Sequence, residues 1–179
     1  EIASCLVGSE MCIRDSFSNE IACFISSPYD HPTSRDSSLP SSGYWQHIQN
    51  KCNENNIVII VDDVRTGFRI NLKGSHNAFN FSPDLVCLGK AMANGYPISA
   101  LVGKDSLKEA ANRVYFSGTQ FYNSAPMAAS KATLEELQRV NAIEIMNNLG
   151  NKLKIDLEQW LFLFNYQLVQ KTIFQELSI

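Results

Sequence analysis

The chain has 179 residues, of which 45% are hydrophobic and 18% charged, and this is enough for one domain with its own core. Fifteen Lys and Arg residues against 18 Asp and Glu residues give a formal net charge of −3, so the composition predicts no nucleic-acid or membrane-surface partner. The longest purely aliphatic run covers residues 57–61, far short of the ~20 residues that a membrane helix needs.

The cysteines and histidines indicate the redox compartment of the protein and whether a metal site is expected. The five cysteines are odd in number and form no CxxC pair, which argues against a disulfide framework and a zinc knuckle and favours a reducing, cytoplasmic location. His31, His47 and His76 lack the spacing of metal ligands, so no metal site is predicted.

The first part of the chain alternates strand and helix signals. Residues 21–26 are an apolar run of strand length, and residues 28–42 have the Ser- and Pro-rich composition of a loop. Apolar residues from Tyr44 to Cys52 repeat at helical spacing. Residues 57–61 form a β-branched run typical of a strand buried on both faces of a parallel sheet. This order predicts a βαβ unit and an α/β fold.

Two more buried strands are predicted at residues 85–88 and 99–102, followed by a helix over residues 104–113. Asp105 and Ser106 are the candidate caps of that helix.

The remainder of the chain is predicted to be helical. Ser124 is the expected helix cap, and Pro126 fits in the first turn. The periodicity predicts two helices that are separated near residues 140–141.

Charged residues follow two of the predicted strands. Asp62 and Asp63 come at the carboxyl end of the strand at residues 57–61, and Lys90 follows the strand at residues 85–88. Ligands of open α/β sheets bind at this edge. Taken separately, an aspartate of this pair is explained as the cap of the following turn, and Lys90 as a solvent-exposed lysine. Together, an amine and a carboxylate at one sheet edge are the groups needed for Schiff-base chemistry with a pyridine cofactor.

The amino-acid sequence around these residues resembles that of a known family. The segments IVIIVDDVRTGFR, SPDLVCLGKAMANGYPISALVG and FSGTQFYNSAPMAA resemble class III aminotransferases, which are pyridoxal-phosphate (PLP) enzymes of fold type I. The order of the segments and the 28 positions from Asp62 to Lys90 also fit that family. The resemblance covers roughly residues 21–149 and is strongest to the glutamate-1-semialdehyde 2,1-aminomutase branch.

The resemblance implies a PLP cofactor and a role for four residues. Lys90 would hold PLP as a Schiff base and shuttle the proton, and Asp62 would pair with the pyridinium nitrogen. Val64 would pack on the cofactor ring, although plain core packing explains it equally well. Thr119 would bind the phosphate of the neighbouring subunit's PLP, which implies a homodimer. The substrates would be a small-molecule amino donor and an oxo acceptor.

The resemblance also implies that the chain is part of a longer enzyme. Residues 1–16 lack helical or strand periodicity and are interpreted as a non-native or disordered leader. Residues 17–141 would form part of the large PLP-binding domain, and residues 142–179 a helical segment leading toward a truncated small domain. The upstream phosphate-binding loop and the aromatic residue that stacks on PLP in this family are absent.

Two positions depart from the family pattern, and two arginines have an open role. Ser27 precedes Pro28 where the family has Glu, and Asp63 stands where Glu is usual.

Arg65 and Arg69 are candidates to bind a substrate carboxylate through both guanidinium nitrogens, but structural or surface pairing is the favoured interpretation.

Three alternatives remain at the level of sequence. The first is the aminomutase reaction itself, which uses the same residues as amino transfer. The second is an inactive fragment or interaction module that keeps the sheet without holding PLP. The third and most remote is a receiver-like signalling domain, because such domains also contain segments similar to IVIIVDD and PDLVCL. Receiver domains, however, place an aspartate where this chain has Gly89 and Lys90.

Overall fold

The computed structural model describes residues 2–3, 20–32 and 37–163, with side chains described from residue 20 to residue 160 within those ranges. Its centre is a five-stranded sheet in the order β1-β2-β3-β4-β5. The strands are β1 (Ile2–Ala3), β2 (Cys23–Ser26), β3 (Val58–Asp62), β4 (Leu85–Leu88) and β5 (Ala100–Gly103). Neighbouring strands from β1 to β4 are parallel, and β5 is antiparallel to β4. The predicted α/β fold is confirmed.

Helix α1 (Tyr44–Glu54) covers one face of the sheet, as its spacing predicted. Trp45, Ile48 and Cys52 lie on one side of the helix and join the buried cluster that includes the β3 side chains. The Trp45 ring stacks on Phe81 with centroids 4.1 Å apart, and its Nε1 donates to the carbonyl oxygen of Pro28 at 2.8 Å. The indole therefore buries a large apolar surface with its one polar group satisfied.

Strand β3 is buried on one face and half-buried on the other. Ile59 and Val61 face the α1 side and are buried, whereas Val58 and Ile60 are only half-buried. The prediction that this strand is buried on both faces is therefore confirmed for the face toward α1, whereas the other face is only half-buried.

The C-terminal helices are α2 (Lys108–Asn112), α3 (Ser124–Arg139) and α4 (Ala142–Leu163). Pro126 lies in the first turn of α3 as predicted, but the cap is Asn123, whose side chain accepts from the backbone N–H of Ala125 at 3.2 Å. The predicted break between α3 and α4 is confirmed, and Asn141 there adopts a left-handed φ of 52°. Asn tolerates this conformation better than most residues.

Other details of local structure depart from the predictions. The predicted helix over 104–113 is helical from residue 105 to residue 112, as a short 3₁₀ turn (Asp105–Leu107) followed by α2, but neither Asp105 nor Ser106 makes the predicted capping side-chain hydrogen bond. Strand β5 is exposed, with Leu101 at 60% exposure, because it pairs with β4 at the end of the strand order. Ile2 and Ala3 pair with β2 as a short strand, where no strand was predicted; residues 4–19 lie outside the described part. Within that part, no helix combines the length and the apolar character that crossing a bilayer requires.

Candidate active site

Asp62 and Lys90 lie at the same edge of the sheet. Asp62 is the last residue of β3, and its Cα pairs with that of Cys87 in the parallel strand β4. Strand β4 ends at Leu88, and Lys90 follows after Gly89. Because parallel strands end at one edge, the carboxylate and the amine are both presented there. Both residues are solvent-exposed.

Val64 lies beside the residue that precedes Lys90. A Cβ placed on Gly89 would come 3.4 Å from Val64 Cγ1, so the valine side chain rests against the glycine backbone. Gly89 is extended, with φ of −178°, and 3.4 Å is an ordinary van der Waals separation. Val64 is half-buried. An aliphatic side chain therefore lies between the ends of β3 and β4.

Lys90 has an unusual backbone conformation. Its φ of 41° lies in the left-handed region, which is unfavourable for a residue with a side chain and is over-represented at functional sites. The 3₁₀ turn that it begins (Lys90–Ala93) is anchored by the buried Met92 and Ala93. The chain therefore holds the Lys90 backbone in a strained conformation on a packed support.

Asp62 affects the titration of its strand neighbour. Asp62 Oδ1 accepts the backbone N–H of Val64 at 3.1 Å, which orients the carboxyl group. Burial raises the pKa of the Cys87 thiol, and the negative charge of Asp62 raises it further. Both effects disfavour the thiolate, the first by desolvation and the second by like-charge repulsion.

Asp63 is the site feature that sequence reasoning missed. Its side chain is fully buried and accepts hydrogen bonds from Thr66 Oγ1, Ser75 Oγ and the backbone N–H of Ser75. From the sequence, Asp63 was expected to be a charged residue or turn cap at the strand end and a departure from the family pattern, not a buried acceptor. The available signal was the Asp-x-x-Thr spacing of a turn, but Ser75 lies 12 positions away and no local pattern links it to Asp63.

Thr119 lies in an exposed loop. The loop carries several exposed aromatic side chains, and the rings of Phe116 and Phe121 stack at 4.6 Å. Among the described residues, no hydrogen bond joins Thr119 to Asp62 or Lys90. Three of the four predicted site residues, Asp62, Val64 and Lys90, therefore lie at the ends of β3 and β4, and no contact of the described residues joins Thr119 to them.

The two arginines differ in environment. Arg65 donates from one guanidinium nitrogen to His31 Nδ1 at 3.0 Å and to the His31 carbonyl oxygen at 2.9 Å, which is the structural pairing favoured from the sequence. Arg69 is exposed and lines a cavity with Phe68, Glu136 and Met146.

The edge residues suit a pyridine cofactor with an aldehyde group. An amine, a carboxylate and an aliphatic side chain supply a group for condensation, an acceptor for a ring N–H and an apolar contact. Among residues 20–32 and 37–163, no cluster of three or more His, Cys, Asp or Glu side chains has the geometry of a metal site.

Comparison with known proteins defines the class. The family model for class-III aminotransferases matches residues 9–166, and the chain belongs to this family. The receiver-like alternative is therefore wrong. The aspartate of its PDLV phrase, Asp84, instead accepts the backbone N–H of Ile59 at 2.8 Å and pairs with Lys104 at the opposite end of β3 and β4.

Particular relatives include both reaction types. The chain is 34% identical to the 3-aminobutyryl-CoA aminotransferase of Cloacimonas acidaminovorans over 82% of this chain and 36% of that protein. It is also 34% identical to the glutamate-1-semialdehyde 2,1-aminomutase of Legionella pneumophila (strain Paris), over 78% of this chain and 33% of that protein. The solved PLP internal aldimine form of the FumI protein from Sphingopyxis sp. MTA144 superposes with a TM-score of 0.77 at 33% identity, over 80% of this chain and 34% of that one. The chain thus spans about a third of the length of these relatives, and its fold is that of fold type I PLP aminotransferases.

Proposed function

We propose that this chain supplies the PLP-holding part of an enzyme that transfers amino groups, with Lys90 as the residue that forms the Schiff base. The observation that carries the proposal is the position of Asp62 and Lys90 at the carboxyl ends of the neighbouring parallel strands β3 and β4. The amino donor and the oxo acceptor are small molecules. The odd cysteine count favours a cytoplasmic location.

The edge residues have separate tasks in this proposal. Asp62 would accept a hydrogen bond from the protonated ring nitrogen, and the backbone N–H of Val64 orients its carboxylate. Val64 contacts one face of the ring. Bound PLP supplies an electron sink for the substrate's α-carbon, and Asp62 maintains the ring charge on which that property depends.

Lys90 has two roles in the proposed reaction. Its amine would hold the cofactor covalently and would be freed when the amino donor displaces it. The freed Lys90 amine would then move a proton between the substrate carbon and the cofactor, a general acid–base step worth about 10² to 10⁴ in rate.

Thr119 contributes to a second subunit in the proposal. Its hydroxyl and backbone N–H bind the cofactor phosphate of the partner subunit in a homodimer. The exposed aromatic side chains on the same loop, Tyr115, Phe116, Phe121 and Tyr122, support a subunit contact there, because exposed apolar patches mark interaction surfaces.

The test of the Lys90 assignment is covalent labelling. PLP is added to the chain, the mixture is reduced with borohydride, and the modified peptide is identified by mass spectrometry. We expect the label on Lys90 and its loss in Lys90→Ala, with Lys104→Ala as the matched control, because Lys104 is also an exposed lysine that follows a strand. Labelling of Lys90→Ala at the wild-type yield would contradict the assignment. A free-PLP spectrum for the wild-type chain would favour the inactive-fragment alternative.

The Thr119 assignment is tested by comparing PLP with pyridoxal, which lacks the phosphate. Thr119→Ala should reduce the preference for PLP over pyridoxal, and Ser117→Ala, in the same exposed loop, should keep it. An unchanged preference in Thr119→Ala would contradict the phosphate role.

The aminomutase reaction is a second candidate, favoured by the relatives of that activity at the same 34% identity. A mutase returns the amino group to the same carbon skeleton and therefore needs no added oxo acceptor. Turnover of an amino aldehyde without any added oxo acid would favour the mutase, and strict dependence on the oxo acid would favour amino transfer.

A further inference from the structure

Asp63 lies in the chain between the two candidate cofactor contacts Asp62 and Val64, and its carboxylate is buried. Its exposure is 0%. Oδ1 accepts from the hydroxyls of Thr66 and Ser75, and Oδ2 accepts from the Ser75 backbone N–H at 2.9 Å. Thr66 and Ser75 are themselves buried. A buried carboxylate requires such donors in place of water.

The backbone of Asp63 makes two further connections. Its N–H donates to the carbonyl oxygen of Cys87 in β4 at 3.0 Å, and its carbonyl oxygen accepts from Gly67 N–H at 2.7 Å. One residue therefore joins three segments, namely the end of β4, the turn after β3 and the loop that contains Ser75.

The surrounding backbone leaves little freedom at this point. A Cβ on Gly67 would lie 2.7 Å from the Asp63 carbonyl oxygen, and a Cβ on Gly74 would lie 3.5 Å from Asp63 Oδ2. Gly74 has φ of 100°, a conformation that favours glycine. Glycine at position 67 thus allows the turn to close onto the Asp63 backbone, and glycine at position 74 supplies the left-handed conformation of the loop that brings Ser75 to Asp63.

We propose that Asp63 is a positioning residue, which holds Asp62 and Val64 in register with Lys90 through its buried hydrogen bonds to Thr66 and Ser75. The inference rests on the proposed function of the Asp62–Lys90 pair and deepens it. Asp62 and Val64 are the immediate neighbours of Asp63, so a displacement of Asp63 moves both. A misplacement of about 1 Å at a reacting group reduces rate by up to about 10²-fold.

The variants for the test remove donors and leave Asp63 in place, because Asp63→Ala would leave three buried donors without an acceptor and so act on folding itself. Thr66→Val and Ser75→Ala each delete one hydroxyl at a nearly constant side-chain shape. Asp84→Asn is the matched control, since Asp84 also bonds the backbone of β3, through Ile59 N–H, but at the end of the strand remote from Lys90.

The first measurement needs no cofactor. The Val64 amide donates to Asp62 Oδ1, so its hydrogen-exchange rate, followed by NMR on the full chain, reports how well Asp62 is held. We expect this amide to exchange roughly tenfold faster in Thr66→Val and Ser75→Ala, which corresponds to the loss of one typical hydrogen bond. We expect a change below about twofold in Asp84→Asn, after correction for global stability.

The second measurement is the dissociation constant for PLP, followed by absorbance. If the wild-type chain binds PLP covalently, the two hydroxyl deletions should weaken binding by at least about tenfold, and Asp84→Asn should not. If the wild-type chain binds no PLP, the proposed function fails, and the exchange of the Val64 amide alone decides the positioning role.

Two results would overturn the inference. One is a Val64 exchange rate that is unchanged in both hydroxyl-deletion variants. The other is an equal acceleration in Asp84→Asn, which would mean that Asp63 contributes only to overall stability.

Discussion

Gly67 donates its backbone N–H to the carbonyl oxygen of Asp63 at 2.7 Å, and a Cβ on Gly67 would lie 2.7 Å from that same oxygen. The turn that follows β3 therefore closes onto the backbone of the residue next to Asp62, and it closes only with glycine at position 67.

Gly67→Ala should lower the free energy of unfolding by about 1 to 3 kcal/mol, as overpacking against fixed atoms does. Urea denaturation measures this. Gly89→Ala is the control, because its nearest contact is a valine methyl group at 3.4 Å that can adjust. An equal or smaller loss in Gly67→Ala than in Gly89→Ala would show that the turn can open without penalty.

Lys90→Gly should be more stable than Lys90→Ala by about 1 kcal/mol, because φ of 41° at this position is unfavourable for a residue with a Cβ. Thermal and urea unfolding of the two apo variants measure the difference. Both variants lack the amine and should lose the borohydride-reducible PLP adduct. Equal stability of the two variants would mean that the backbone at position 90 carries no strain.

Asp62→Asn should lower the pKa of Cys87, since the Asp62 charge adds to the effect of burial in raising it. The pH dependence of alkylation, read by mass spectrometry for each cysteine, measures this change. Cys52 is the internal control: burial, with the charge of Asp84, raises its pKa to about 11, and Asp62 is not among the causes. An unchanged Cys87 profile would mean that the Asp62 carboxylate lies too far from β4 to act on the thiol.

His76 should make the protein less stable in mild acid. Burial lowers its pKa from 6.5, and the charge of Asp63 only partly opposes this. The unfolded chain therefore takes up the proton more readily, and the free energy of unfolding should fall as pH decreases from about 6.5 through the lowered pKa. His76→Gln should remove this part of the decline, and denaturant titrations between pH 8 and pH 5 test it.

The control for that experiment is His47→Gln, at an exposed position of α1, which leaves the contribution of His76 in place. A decline in His76→Gln as steep as in the wild-type chain would assign the acid sensitivity to other groups.

Sequence patterns correctly predicted the elements that are specified by the spacing or composition of their own residues. The spacing of Trp45, Ile48 and Cys52 predicted α1, because a helix brings these positions to one face. The β-branched run before Asp62 predicted β3 to within one residue. The order of the strands also predicted that Asp62 and Lys90 share a sheet edge, since parallel strands end together.

Sequence patterns gave wrong predictions where the position of an element in the sheet, or the path of the backbone into a helix, decides the structure. The apolar residues of β5 predicted a buried strand, but Leu101 is exposed because the strand lies at the end of the strand order. Both Asp105 and Ser124 are common helix caps, yet the caps depend on where the backbone turns into the helix, and at α3 that residue is Asn123.

The sequence by itself determined the α/β class, the main strands, helix α1 and the position of an acid and an amine at one sheet edge, because these follow from residue chemistry and chain order. Only the tertiary structure decided that Asp63 is buried and that Thr66 and Ser75 bond to it. Ser75 is 12 residues distant along the chain, and a hydrogen bond across that separation depends on how the loop folds back. The φ of Lys90 was decided in the same way, since packing of the following turn imposes a conformation that lysine does not prefer by itself.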